Sequence, residues 1–170
     1  AMRKDDKAGL VTFNEYFDTF VPASKQVGQM QTLLENLYKQ ETTFGETDFS
    51  ALCGHLGKHV NKRSFLVLYT NFSNMTSLNR QLVYLQQLAR QHRVLVVFFE
   101  DADLKEYIAG KSVTTEDYYR HVIAEKFAFE KRLIVSTLKQ HGIYSLLTTP
   151  DKLSIDVINK YLEMKSRQLL

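Results

Sequence analysis

The sequence predicts an α/β protein, an open and mostly parallel sheet with helices on both faces and an antiparallel hairpin at one edge. Three observations predict it. Short apolar runs alternate with longer amphipathic patterns along the whole chain. Two of the runs, Ser64–Tyr69 (SFLVLY) and Val94–Phe99 (VLVVFF), are almost continuously apolar, as parallel strands covered on both faces are. An earlier pair, Leu10–Phe13 and Phe17–Val21, flanks the polar turn Asn14-Glu15-Tyr16 and reads as a hairpin.

The helical elements follow in order. Val27, Met30, Leu33, Leu34 and Leu37 form one stripe at helical spacing; Phe49, Leu52, Cys53, Leu56 and Val60 form a second, with Thr47 as its expected N-cap. Leu78, Leu82, Leu85 and Ala89 make a third, between the two central strands. The fourth is longer, with Tyr119, Val122, Ile123, Phe127, Ile134 and Leu138 facing one way. Thr114 and Asp117 are placed to form its capping box, and Gly142 is its expected C′ residue. A further short run, Ile143–Leu147, reads as the last strand, and a final helix with Thr149 as cap and Pro150 in its first turn is expected to bury Ile155, Ile158 and Leu162. No repeat, low-complexity stretch or linker interrupts this order, so residues 4–170 are expected to form one domain, with residues 1–3 a tag scar and start.

Composition narrows the function classes. A chain of 170 residues with 44% hydrophobic and 24% charged residues has the make-up of an ordinary globular domain and needs no staple to fold. The single Cys53 rules out an internal disulfide and fits a reducing compartment, so a cytoplasmic location is expected. The net charge of +3 is spread along the chain without a basic block, which disfavours nucleic acid. No apolar run reaches the roughly 18 residues of a membrane span, and no signal peptide opens the chain.

In open sheets of this kind the ligand crevice lies beyond the carboxyl ends of the strands. That rule nominates residues 70–74, 100–103 and 148–149. No glycine-rich phosphate loop, nucleophile elbow, HExxH or CxxC is present, so the chemistry rests on single residues. His55 and His59 have the i, i+4 spacing of a metal pair, but with no third ligand in view they read as two solvated surface histidines. Cys53 reads as a buried, inert thiol within its stripe. Glu100, Asp101 and Asp103 could gather a divalent cation or cap the helix that follows them. Thr47 could cap its helix or offer a hydroxyl to Mg²⁺.

Several segments resemble the domain-of-unknown-function 58 family, whose C-terminal part is similar to von Willebrand factor A domains. AGLVTFNEYFDTFVP is similar to that family's opening hairpin, TTFGETDFSAL to its turn and helix, KRSFLVLYTNF and QHRVLVVFFEDADL to its central strands, and YLEMKSRQLL to its ending. The resemblance implies a Rossmann-like, three-layer α/β/α von Willebrand factor A-type sheet, mostly parallel with an antiparallel edge hairpin, and a metal-ion-dependent adhesion site at the carboxyl ends of its strands. Thr47 matches one ligand position of such a site. Asn71 falls where the family carries an Asp, and the D-x-S-x-S loop of the first central strand has no counterpart, so the domain is expected to be N-terminally truncated and its site degenerate. The lost strand would lie between the hairpin and Ser64–Tyr69. Its absence leaves sheet edges that close on each other or on a second copy in a homodimer.

What the resemblance implies for function is a non-enzymatic protein-interaction module. Its partner would be a MoxR-type AAA+ ATPase, in the assembly or maturation of other proteins. Thr47, Asn71, Ser73 and Asn74, with Glu100 and Asp101 at the rim, would meet an acidic partner side chain. No cofactor is expected for this chain, although Mg²⁺ belongs to intact members, which are often anchored in the bacterial inner membrane. The alternative is a Mg²⁺-dependent hydrolase of phosphate esters working through Glu100, Asp101 and Asp103.

Overall fold

The computed structural model describes residues 6–14, 17–41, 47–72, 74–100 and 115–169. The chain divides into two units, Ala1–Asn61 and Lys62–Leu170.

In the first unit, strands β1 (Ala8–Phe13) and β2 (Phe17–Ser24) pair antiparallel, with Leu10 opposite Val21 and Thr12 opposite Thr19. The predicted hairpin is therefore present, and β2 runs three residues past the expected Val21, to Ser24. Its register breaks between Ala8 and Leu10, and Gly9 sits at the break. A Cβ there would meet Val21 O at 2.7 Å and Ala23 N at 2.8 Å, so only glycine allows the two backbones to come this close. Helix α1 (Gln29–Tyr38) is tied to the hairpin by a buried amide: Gln29 Nε2 donates to Ala8 O and to Pro22 O, both at 2.9 Å.

Helix α2 (Phe49–His59) buries Phe49, Leu52, Cys53 and Leu56, as its periodicity predicts. Phe13 meets the Phe49 ring edge-on at 5.4 Å. Its N-cap differs from the expected Thr47. Asp48 takes the cap in extended backbone, its carboxylate accepting from Ser50 N–H at 2.7 Å and Ala51 N–H at 3.1 Å. A carboxylate satisfies two orphan amides and also complements the positive end of the helix, which a hydroxyl does not. We expect Asp48→Ala to cost about 1 kcal/mol and Thr47→Val to be near neutral. Urea midpoints at unchanged slope would check both.

In the second unit, strands β3 (Phe65–Tyr69), β4 (Arg93–Phe99) and β5 (Tyr144–Thr148) form a parallel sheet in the order β3-β4-β5. The hairpin is a sheet of its own and not the edge of this parallel one. Among the described residues no strand pairs with the outer edge of β3 or of β5. The central strand is the core: Val94, Leu95, Val96, Val97 and Phe98 are each buried to 2% exposure or less. Helix α3 (Met75–Gln91) packs Leu78, Leu85 and Leu88 against it. The predicted stripe is right at Leu78 and Leu85, but Leu88 is buried in place of Ala89.

Helix α4 (Thr115–Gln140) ends as expected. Gly142 takes φ +71°, Ile143 N–H donates to Leu138 O and Gly142 N–H to Lys139 O, both at 3.0 Å, which is the Schellman arrangement with its buried Leu138–Ile143 contact positions. Its expected capping Thr114 lies outside the described residues. The expected apolar face holds only at Ile134 and Leu138; Tyr119, Val122, Ile123 and Phe127 are exposed, and Ala124 is buried in their place.

Helix α5 (Leu153–Ser166) corrects the sequence reading twice. Thr149 does not cap it; Lys152 precedes the first turn, and its N–H donates to Thr149 O at 3.1 Å, so Thr149 and Pro150 belong to a turn before the helix. Ile155, Ile158 and Leu162 are exposed, while Leu153, Val157 and Tyr161 are half-buried and Met164 is buried. Both sets have helical spacing, and periodicity alone cannot choose between two apolar stripes on one helix. The stripe of α1 is likewise exposed at Met30, Leu34 and Leu37.

Just before β4, His92 is buried, and Ser64 N–H donates to its Nδ1 at 3.4 Å. A backbone N–H can only donate, so the ring is neutral with its proton on Nε2, and Nε2 has no partner among the described residues. Burial holds the His92 pKa below its ordinary 6.5. The unfolded chain therefore takes up the proton first, and the stability is whole above pH 6.5 and lost as pH falls below it. We expect His92→Leu to flatten the acid limb of a urea-stability profile by up to about 1.4 kcal/mol per pH unit.

Candidate functional site at the carboxyl ends of the parallel strands

The three parallel strands end together, and their last hydrogen bonds fix the loops that follow. Thr70 N–H donates to Val97 O at 3.0 Å, and Glu100 N–H donates to Thr148 O at 2.9 Å. This places Asn71 beyond β3, Glu100 beyond β4, and Thr148 and Thr149 at the end of β5. The topology thus brings together the described residues of the nominated sets, those at 70–72, 100 and 148–149.

At the end of β3, Asn71 is not an idle side chain. Lys131, on α4, donates its ammonium to Asn71 Oδ1 and to Phe72 O, the latter at 2.9 Å. The same ammonium lies 5.7 Å from the centre of the Phe98 ring, within cation–π range. Burial pushes the Lys131 pKa below its usual value. Lys131 arrives here because it shares the buried stripe of α4, seven residues after Ala124 and seven before Leu138. At the end of β5, the buried Thr148 donates its hydroxyl to Asp156 Oδ2 at 2.5 Å, joining the strand end to the first turn of α5. Neither Lys131 nor Asp156 is a sequence-predicted site residue. The signal for Lys131 was a single cation on an otherwise apolar helix face.

The remaining candidates fall as follows. Asn74 caps α3, its Oδ1 accepting from Ser77 N–H at 2.9 Å. Glu100 is half-buried. Ser73, Asp101 and Asp103 lie outside the described residues. Thr47 is half-buried in the first unit, one residue before the Asp48 cap, and its expected capping role passes to that neighbour.

The donor set beyond β3 does not fit a divalent ion. Asn71 offers a neutral oxygen that already receives an ammonium. At an effective dielectric of about 20, an ammonium and a divalent ion roughly 4 Å apart repel by about 8 kcal/mol, and no carboxylate among the described residues is bonded to Lys131 to offset this. Among the described residues no three His, Cys, Asp or Glu side chains gather into a metal-binding group.

The histidine pair of the first unit also differs from the expected pair of solvated side chains. His55 is half-buried, stacked on His59 with ring centres 4.1 Å apart, and Phe20 meets the two rings at 5.1 Å and 5.6 Å. Burial first, then His59 and Lys58, lower the His55 pKa. Cys53 is buried as expected, and burial, followed by the nearby Asp48 charge, pushes its thiol up to about 11. That leaves almost no thiolate at neutral pH.

These features define a mixed α/β protein with a two-stranded antiparallel sheet, a three-stranded parallel sheet and bonded polar residues at the parallel strand ends. A family model described as "Protein of unknown function DUF58" matches residues 1–115, and the chain belongs to that family. No curated protein and no solved structure matches it. Among the described residues no helix is long and apolar enough to cross a membrane.

Proposed function

We propose that this chain is a non-enzymatic protein-interaction module of the von Willebrand factor A type that docks a partner at the carboxyl ends of β3, β4 and β5. The observation that carries this reading is how the crevice spends its polar groups. Lys131 is used on Asn71 and Phe72, Asp156 on Thr148, and Asn74 on the first turn of α3. Groups engaged in this way hold loops in a fixed shape; a general acid or base needs a free path to a substrate proton. A preformed face with the Lys131 ammonium at the end of β3 suits an acidic side chain on a partner.

By the family resemblance the partner is a MoxR-type AAA+ ATPase. Asn71, Asn74 and Glu100 would line the docking face. The open outer edges of β3 and β5 give a second copy a place to pair, so a homodimer belongs to the same proposal. Affinity capture with the wild-type chain against an Asn71→Ala, Glu100→Ala variant tests the docking face. Retention of a AAA+ ATPase by the wild type and its loss from the variant is the expected result. Equal retention by both, or turnover of a phosphate ester with Mg²⁺, would overturn it.

A further inference from the structure

We propose that Lys131 is the built-in cation of this crevice, supplying from α4 the positive charge that the family resemblance assigns to Mg²⁺, so that the crevice works without metal. The argument starts from the donors. An ammonium has three N–H groups and no acceptor. Two acceptors for it stand at the end of β3, Asn71 Oδ1 and Phe72 O, and the Phe98 ring lies beneath its charge. Its helix fixes where the side chain starts, because Ala124, Ile134 and Leu138 on the same stripe are buried, and the two acceptors and the ring hold its end.

The identity of residue 71 then has a reason. An ammonium held by a neutral amide keeps its one positive charge. An Asp beside Lys131 would cancel the charge; Asn keeps it while still accepting one hydrogen bond. Here an Asn and a Lys stand where the resemblance would put an Asp and a metal. The chemistry presented to a partner is then an anion site that chelators do not empty. This deepens the docking reading by naming the charge a partner meets. Its test uses no partner, so either can fail alone.

The test follows paramagnetic broadening by Mn²⁺ in amide spectra of the full chain, reading the backbone and side-chain signals of residues 70–72. Wild type and Asn71→Asp are expected to show no selective broadening, because the ammonium repels the ion in the first and pairs with the carboxylate in the second. The double variant Asn71→Asp, Lys131→Met leaves that carboxylate unpaired and is expected to broaden selectively at the same signals. A calorimetric titration of Asn71→Asp with Mg²⁺ is expected to give no heat of binding. Selective broadening in wild type or in Asn71→Asp overturns the proposal, and so does a folded double variant that shows none.

Discussion

Replacing Phe98 by Ala is expected to cost about 3–5 kcal/mol, the range for removing a fully buried aromatic side chain. Phe98 has no exposed surface and lies on the middle strand of a three-stranded sheet, opposite Leu147 of β5. Neighbours on such a strand cannot close over the void, because each is already held by ladder bonds on both sides. The ring also carries the Lys131 ammonium at 5.7 Å, so the substitution should loosen the crevice floor as well as the core. Phe98→Leu separates the two effects. It keeps most of the volume and should cost under about 1.5 kcal/mol while removing the aromatic face entirely. Urea unfolding of both variants, with the Asn71 side-chain amide signal as a local reporter, checks this. The Ala variant should fall far in midpoint, and both should shift the Asn71 signal.

Thr148→Val is expected to be the second large loss, about 1.5–3 kcal/mol, the range for a hydrogen bond to a charged group. The change is nearly isosteric, so packing at this buried position is preserved and the loss reports the hydroxyl alone. Without it, Asp156 keeps a half-buried carboxylate oxygen that has lost its donor at 2.5 Å. Thr148→Ser retains the donor and should recover most of the stability. Equal urea midpoints for wild type and Thr148→Val would show that the bond contributes nothing.

How much of this was legible in the sequence depended on whether a local signal had one physical reading. The run Val94–Phe98 had one: five apolar residues in a row fit a strand covered on both faces, and all five are buried. Gly142 had one too, since a glycine closing a helical pattern suits a left-handed C′ residue, and its φ is +71°. At the N-terminus of α2 the expected cap Thr47 gave way to its charged neighbour Asp48. On α5 two apolar stripes competed, and tertiary contact chose the one containing Met164. The site divided in the same way. Strand order placed Asn71, Glu100 and Thr148 at the crevice through the carboxyl-end rule alone. Lys131 and Asp156 come from helices far along the chain, and no spacing within the sequence links position 131 to position 71.

The order of the parallel strands also bears on how the second unit assembles. β3 and β4 are joined by residues 70–92 and β4 and β5 by residues 100–143, so the second connection is nearly twice as long as the first. Closing it costs about 0.6 kcal/mol more chain entropy. The β3–β4 pair is thus the cheaper nucleus, and β5 must dock onto a partner strand already in place. The Lys131 tether lies inside the longer connection, so the contact that completes the crevice belongs to the late stage of folding. The amides of Leu68 and Leu146 both face β4, as the bonds of Thr70 and Thr148 to it show, and pulse-labelled hydrogen exchange during refolding should protect the amide of Leu68 before that of Leu146.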